Sequence, residues 1–183
     1  MFKKSCVAVF LLLLFSVASL QAQEKVLYSF SDGSSPYEAP LLKGSALYGM
    51  TRWGGASAYG TIYKIQTNGT GFKVLHVFVG GTTDGRVAYG SLVSGGSTSP
   101  WLYGMTEYGG ASNQGTVFKI KTNGTDFQLL HSFAGVTTDG RNPSATLIRL
   151  GSTLYGMITS TVSSVTSPAP TPPASTTSSW PGT

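Results

Sequence analysis

Apolar and polar residues alternate along short stretches of this chain, and glycine-rich turns separate the stretches. An alternation with a period of two places successive side chains on opposite faces of a β-strand. The pattern predicts strands at Ser45–Thr51, Thr61–Thr67 and Phe72–Phe78, followed by a weaker strand at Ser91–Gly95. No stretch shows the apolar spacing of an amphipathic helix without a glycine inside it, so the predicted fold class is all-β.

The predicted strands recur further along the chain. The segment Leu47–Arg86 returns at Leu102–Arg141 without a gap and with most aligned positions identical. A third copy begins at Leu154 and stops after Met157. A period of about 50 residues is typical of modular arrays in which each unit buries its apolar face against its neighbours. The strands predicted in the second copy are Pro100–Thr106, Thr116–Thr122, Phe127–Phe133 and Thr146–Leu150.

Each repeat has the strand content of one β-propeller blade, four antiparallel strands. Asn68-Gly69 and Asn123-Gly124 join the second and third strands, and Asn-Gly between alternating runs predicts a tight hairpin. Val26–Phe30 matches the third strand and 39–42 matches the fourth, so the chain enters partway through a unit. We expect propeller-like, four-stranded antiparallel units that do not complete a ring, because propellers have about four to eight blades.

The composition divides the chain into three parts. Residues 1–22 have the layout of a secretory signal peptide, with Lys3 and Lys4 before an apolar run and a small-residue cleavage region ending at Ala22. Residues 23–159 form the repeat array, with a partial unit at 23–44, units from 45 and from 100, and a truncated unit from 152. Residues 160–183 are rich in Ser, Thr and Pro, which predicts a disordered tail. The abrupt loss of the pattern favours a fragment or a frameshift over a genuine linker.

A signal peptide implies a secreted or cell-surface protein, with no membrane span in the mature chain. The single cysteine, Cys6, lies in the signal peptide and is removed with it. Disulfides, thiolate metal sites and cysteine nucleophiles are therefore excluded from the mature chain. The formal net charge is +5, of which Lys3 and Lys4 account for two, and the other basic residues are scattered singly. Nucleic-acid binding needs clustered positive charge, so we do not expect it.

Catalysis has weak support in this sequence. The acids that differ between the copies are Glu38, Glu107 and Asp126, and each lies at or beside a turn. A glycosidase needs two carboxyl groups at a defined separation, and no pair of these three is evidently close. The chain also lacks a nucleophile elbow and a phosphate-binding loop. We expect no catalytic residue, no cofactor and no enzyme activity.

Two repeated positions suggest metal chemistry at first sight. Asp84-Gly85 and Asp139-Gly140 invite comparison with calcium loops, but each loop offers one carboxylate, and Asp-Gly is a common turn pair. His76 and His131 share an apolar strand face with phenylalanines. A structural histidine that donates to a neighbouring strand explains this position, whereas zinc would need further converging ligands. We expect no metal site.

The ordered motifs LYGMT-x-x-GG, GT-[IV]-[YF]-KI and NGT-x-F-x-x-LH-x-F occur twice, each set followed by DG. This pattern, over Val26–Met157, resembles the GloVer tandem repeat of "choice-of-anchor" secreted bacterial proteins. The resemblance implies an exported, propeller-like array, and it transfers no catalytic residue. Members of the family usually end in a surface-anchoring signal, which residues 160–183 do not match.

Aromatic residues are the strongest candidates for a binding site. Trp53 and Tyr108 occupy equivalent positions before a Gly-Gly pair, and Tyr59 and Trp101 flank nearby strands. Such rings can stack on sugars or on a partner's apolar surface, or they can cover the edges between units. We expect a secreted, non-enzymatic scaffold for binding or adhesion at or outside the cell surface, with a glycan or a surface protein as partner, and homo-oligomers through open sheet edges. The alternative is a carbohydrate-binding part or a fragment of an exported carbohydrate-active protein.

Overall fold

The computed structural model describes residues 24–30, 34–136 and 139–158, together with the strand Thr177–Pro181. All regular secondary structure in this part of the chain is β, which confirms the predicted class. The strands group into three antiparallel sheets. They are β1 (Leu41–Lys43), β2 (Ala46–Thr51), β3 (Thr61–Gln66), β4 (Lys73–Val77), β5 (Gly85–Ser94), β6 (Trp101–Gly109), β7 (Thr116–Lys121), β8 (Gln128–Ser132), β9 (Ile148–Leu150), β10 (Thr153–Met157) and β11 (Thr177–Pro181).

The first and second sheets are four-stranded, in the orders β1-β2-β3-β4 and β5-β6-β7-β8, and the third has the order β11-β10-β9. The strand predicted as the last of each repeat is the first strand of the next sheet. Val93 of β5 lies opposite Tyr103 of β6, and Ile148 of β9 lies opposite Tyr155 of β10. Each sheet therefore begins before the LYGM motif and combines residues of two sequence repeats.

The predicted hairpins are present between β3 and β4 and between β7 and β8. In the first, the Asn68 side-chain oxygen accepts hydrogen bonds from the backbone N–H and the hydroxyl of Thr70, at 3.0 and 2.7 Å. Gly69 has a φ of 90°, a value that glycine adopts without steric cost. Asn123 and Thr125 repeat this arrangement. Both hairpins therefore use the asparagine to hold the turn and the glycine to reverse the chain.

The glycine of the LYGM motif makes room for an aromatic ring on the neighbouring strand. A Cβ added at Gly104 would lie 2.5 Å from the ring of Phe118, and one added at Gly49 would lie 2.4 Å from the ring of Tyr63. Both rings are buried, and Phe118 is completely so. The motif thus lets a large ring lie across the first strand of each repeat, where it becomes part of the contact with the preceding unit.

The sheets stack face to face through repeated contacts. Each sheet has a tyrosine face, which carries Tyr48 and Met50 in the first sheet, and a leucine face, which carries Leu102 and Phe118 in the second. The tyrosine face of the first sheet packs on the leucine face of the second in one buried apolar cluster. The tyrosine face of the second sheet packs on Leu154 of the third in another cluster. The second sheet is therefore covered on both faces.

The N-terminal segment, residues 24–30, covers part of the leucine face of the first sheet and leaves an apolar groove beside it. This segment matches the third strand of a repeat but is not assigned to a strand. The ring centres of Phe30 and Tyr63 lie 5.2 Å apart. The equivalent pair between the first and second sheets, Phe78 and Phe118, has its ring centres 5.6 Å apart. The segment therefore supplies the side chains of a preceding unit's outer strand without that strand's backbone pairing.

Strand β5 packs against β1, β2 and β9, so the first strands of the sheets lie on the same side of the array. Lys43 at the end of β1 donates to the Ser94 hydroxyl at 3.1 Å and to backbone carbonyls of 96 and 97. The Ser91 hydroxyl donates to the Ala39 carbonyl at 2.8 Å. Because β1, β5 and β9 converge, the sheets radiate from one side, as blades do in a propeller.

The predicted signal peptide, 1–22, lies outside the described residues. So does most of the predicted disordered tail, although strand β11 falls within it and pairs with β10, Trp180 opposite Leu154. Among the described residues, no helix is long and apolar enough to cross a membrane.

Candidate functional site

The connections at one end of the sheets form a continuous surface, which we call the loop face: residues 52–60, 78–84 and 110–115. They link β2 to β3, β4 to β5 and β6 to β7. The opposite end carries the short Asn-Gly hairpins and is called the hairpin face. Three of the four aromatic residues predicted to bind a ligand, Trp53, Tyr59 and Tyr108, lie at the loop face.

The loop between β4 and β5 is held closed by Asp84. Its carboxylate accepts hydrogen bonds from the backbone N–H groups of Val79 and Gly85 at 2.9 and 2.7 Å. The Nε2 of His76 lies 3.1 Å from the same carboxylate. The partner of the histidine is therefore a loop carboxylate and not the neighbouring strand that the sequence suggested.

The next repeat contains the same clasp. His131 Nε2 lies 2.7 Å from Asp139, which also accepts from the backbone N–H of Ala134. Both Asp-Gly pairs therefore serve as turns whose carboxylates face N–H donors. No group of three or more potential metal ligands occurs among the described residues.

Arg86 occupies the centre of the loop face, between two tyrosine rings. Its guanidinium carbon lies 5.5 Å from the ring centre of Tyr59 and 5.0 Å from that of Tyr108. Its Nε donates to the side-chain oxygen of Asn113 at 3.1 Å. A cation between two ring faces is held in place electrostatically and by contact. The structure thus brings Tyr59 and Tyr108, which come from different repeats, onto one arginine.

An open groove of about 440 Å³ runs beside this arginine. Polar groups at its wall are the side chains of Arg86, Asn113 and Thr82, and the ring of Tyr59 lines one side. Binding sites for small polar ligands combine an aromatic or apolar wall with a few oriented polar groups. The groove has both and is lined by residues of all three loops of the loop face.

Arg52 forms a second cationic centre at the loop face. Its guanidinium carbon lies 5.7 Å from the ring centre of Tyr37, 5.8 Å from that of Trp53 and 5.2 Å from that of Tyr89. It also donates to Glu107 at 2.8 Å, an ion pair between equivalent positions of successive repeats. The Trp53 side chain remains 46% exposed, so its ring has a free surface beside the pair.

Trp101, the fourth predicted binding residue, lies at the hairpin face. It begins β6, whereas Tyr108 lies near the end of the same strand, about 23 Å away at 3.3 Å per residue. The Lys119 and Lys121 ammonium groups lie 4.7 and 5.3 Å from its ring centre. The structure therefore does not bring Trp101 together with the other three aromatic residues.

The unrepeated acids also lie apart. Glu107 pairs with Arg52 at the loop face, whereas Asp126 lies in the hairpin between β7 and β8 and pairs with Lys121 at 2.8 Å. Hydrogen bonds from Lys121 and Thr125, with the charge of Lys121, lower the pKa of the exposed Asp126 carboxyl. Glu38 is exposed in the segment before β1. Glu107 and Asp126 cannot act on one bond, because they lie at opposite ends of the second sheet.

The sequence analysis did not identify Arg52 or Arg86 as part of the candidate site. Arg86 belongs to the repeated TTDGR motif, which was interpreted as a turn, and Arg52 stands where the next repeat has Glu107. Opposite charges at equivalent positions of adjacent repeats are a recognisable sign of an inter-unit ion pair. No sequence pattern indicates that Arg86 lies between rings from two repeats, since this depends on how the sheets stack.

The family model of the Gloeobacter/Verrucomicrobia repeat matches residues 13–167 of this chain. The match covers most of the sequence and confirms the resemblance drawn from the repeated motifs. The chain therefore belongs to the Gloeobacter/Verrucomicrobia repeat family. A search of curated proteins finds no match to the sequence.

Proposed function

We propose that this repeat protein is exported and that it acts as a non-enzymatic scaffold whose loop face binds a ligand at or outside the cell surface. The proposal rests chiefly on Arg86, which is held between Tyr59 and Tyr108 beside an open groove. Loops positioned by a rigid β scaffold are a common place for binding residues. The clasp of Asp84 fixes the loop between β4 and β5 in place before a ligand arrives, which lowers the entropy cost of binding.

A carbohydrate ligand is the second candidate. The exposed ring of Trp53 supports it, since tryptophan stacks on sugar rings through its flat apolar surface. Hydroxyl-rich ligands also suit the side chains of Arg86 and Asn113, which offer donors and acceptors. A protein ligand would instead use the same rings and arginines as an interface anchor.

The first experiment separates these ligands. The purified chain is incubated with a panel of insoluble polysaccharides and, in parallel, with whole and protease-treated bacterial cells. Retention on a polysaccharide supports a carbohydrate ligand, and retention only on untreated cells supports a surface protein. Release of soluble sugar during the incubation would contradict a non-enzymatic role.

The variant Trp53→Ala tests the surface used, and Trp101→Ala is its matched control at the hairpin face. We expect Trp53→Ala to lower retention at least tenfold while Trp101→Ala, with its fold checked by circular dichroism, retains it. Unchanged retention by Trp53→Ala would refute the role of this ring.

Export needs its own test. A C-terminally tagged chain is expressed in a bacterial host, and its location is determined by fractionation. We expect it outside the cytoplasm, and we expect Leu12→Arg, which interrupts the apolar run of the predicted signal peptide, to retain it inside. Equal distribution of both chains would contradict export.

A further inference from the structure

The tyrosine face of the third sheet is exposed, although its counterparts are buried. Tyr155 is 38% and Met157 52% exposed. The equivalent residues of the first sheet, Tyr48 and Met50, are 5% and 7% exposed because the second sheet covers them. In the second sheet, Tyr103 and Met105 are 6% and 1% exposed.

The same difference holds for the adjoining strand. Ile148 lies opposite Tyr155, as Val93 lies opposite Tyr103 in the second sheet. Val93 packs against a buried cluster, whereas Ile148 is 68% exposed. Together Ile148, Tyr155 and Met157 line an open apolar groove of about 160 Å³. This surface has the residues of an inter-sheet contact and no described residue packed on it.

A matching surface lies at the other end of the array. The leucine face of the first sheet carries Leu47, Tyr63 and Ile65, the counterparts of Leu102, Phe118 and Ile120. These three form an apolar groove of about 210 Å³ with the N-terminal segment. In the second sheet the counterparts are completely buried by the tyrosine face of the first, whereas Tyr63 and Ile65 keep 6% and 4% of their surface exposed at the groove. The groove therefore lies where a tyrosine face packs between neighbouring sheets.

We propose that the tyrosine face of the third sheet docks on the leucine face of the first sheet in a second copy of this chain. This contact would repeat, between two chains, the packing that joins the tyrosine face of the first sheet to the leucine face of the second within one chain. Tyr155 and Met157 of one copy enter the groove lined by Leu47, Tyr63 and Ile65 of the other. This face-to-face contact differs from the edge pairing that open sheets suggest, and it does not depend on a ligand at the loop face.

The N-terminal segment completes the docked sheet. The third sheet has the order β11-β10-β9, with β11 in the place that β3 and β7 hold in the other sheets. Those sheets have a fourth strand, β4 or β8, on the far side of this position. Residues 26–30 carry the side-chain pattern of that fourth strand and already pack on the first sheet. Docking places them beside β11 of the partner copy.

Two such contacts, related by a two-fold axis, close a ring. The described part of each chain contributes three sheets, so two copies joined in this way present six. Six is within the range of about four to eight blades that closed propellers have. A head-to-tail contact that closes gives a defined oligomer and not a filament.

The test measures the mass of the purified chain by light scattering across a hundredfold range of concentration. We expect twice the mass of one chain. Tyr155→Lys and, separately, Ile148→Glu introduce a charge into the exposed face, and we expect each to weaken the dimer at least tenfold. Val79→Lys is the matched control, because Val79 is also an exposed apolar residue but lies on the loop face. We expect it to remain dimeric.

Circular dichroism and thermal melting of each variant show whether it folds, and the two substitutions at different strands guard against failure of either one. Three results would overturn the proposal: a monomeric wild-type chain, a dimer that survives both Tyr155→Lys and Ile148→Glu in folded form, or an open series of larger oligomers.

Discussion

The rings of His76 and Phe127 stack in parallel, with centroids 3.9 Å apart and planes inclined by 7°. His76 belongs to β4 of the first sheet, and Phe127 lies just before β8 of the second. One unit earlier, Tyr28 and Phe72 stack in the same way, at 3.8 Å and 6°. The outer edges of successive units are thus joined by an aromatic pair whose first member changes between histidine and tyrosine.

The first prediction concerns this pair. Phe127→Ala removes the ring that joins two complete sheets. Because Phe127 is half-buried, we expect a loss of about 2–4 kcal/mol in the free energy of unfolding, somewhat less than for a fully buried phenylalanine. Phe72→Ala is the matched comparison, and its loss should be smaller because its partner Tyr28 is 42% exposed at the edge of the array. Urea denaturation measures both. Equal losses would contradict the prediction, since the stack of His76 on Phe127 would then contribute no more than the stack of Tyr28 on Phe72.

The second prediction concerns the glycine of the LYGM motif. Gly104→Ala would place a methyl group against the buried ring of Phe118, and we expect a cost of about 1–3 kcal/mol. Phe118→Leu in the same chain removes the ring atoms that clash. The double variant should therefore be more stable than the sum of the two single losses predicts. Additive losses in a double-mutant cycle would show that the close approach carries no strain.

The third prediction is a stabilising change taken from the next repeat. Ala58 has a φ of 56°, and the equivalent residue is Asn113, with a φ of 55°. Asparagine tolerates this left-handed conformation better than alanine does. We expect Ala58→Asn to raise the free energy of unfolding by about 0.5–1 kcal/mol. Ala56→Asn, also exposed and in the same loop, is the control and should change it little. A destabilised Ala58→Asn variant would count against this explanation.

The fourth prediction is a pH dependence. Burial raises the pKa of the Tyr63 hydroxyl above its ordinary value of 10.0. In the unfolded chain this group loses its proton at a lower pH than in the folded chain, so its contribution to stability is complete below the ordinary value. The contribution is lost as the pH rises towards the raised folded value.

Tyr63→Phe removes this contribution and inserts the residue found at Phe118, the equivalent position. We expect the stability of the variant to fall less steeply above about pH 10 than that of the wild type. Denaturation at several alkaline pH values measures this difference. Parallel curves for the two chains would contradict it.

Much of the fold could be predicted from the sequence because each repeat carries strong local patterns. Alternation placed β2, β3, β6 and β7 to within a few residues, and Asn-Gly placed both hairpins. Strand β5 is longer than expected, since it begins at Gly85 and contains Val87 and Gly90 at positive φ. Its pairing with β6 shifts between Tyr89 and Val93. Such irregular pairing interrupts the period of two, so the alternation could not reveal it.

The grouping of strands into sheets could not be predicted from the repeat alone. A sequence repeat fixes the order of strands but not where one sheet ends, and the LYGM motif is an arbitrary starting point within a cyclic pattern.

The binding surface was predicted in part. Trp53, Tyr59 and Tyr108 lie at the loop face. Trp101 lies at the hairpin face, because it and Tyr108 are at opposite ends of the single strand β6. The contacts of Arg52 and Arg86 with these rings depend on how the sheets stack, so the sequence pattern does not show them.

Binding measured on loop-face variants tests the proposed function most directly. A ligand retained by the wild-type chain is titrated against Arg86→Ala and Trp101→Ala, each verified as folded. We predict that Arg86→Ala, which removes the cation between Tyr59 and Tyr108, weakens binding at least tenfold while Trp101→Ala leaves the affinity unchanged. Full affinity in Arg86→Ala, or loss only in Trp101→Ala, would show that the loop face is not the binding surface.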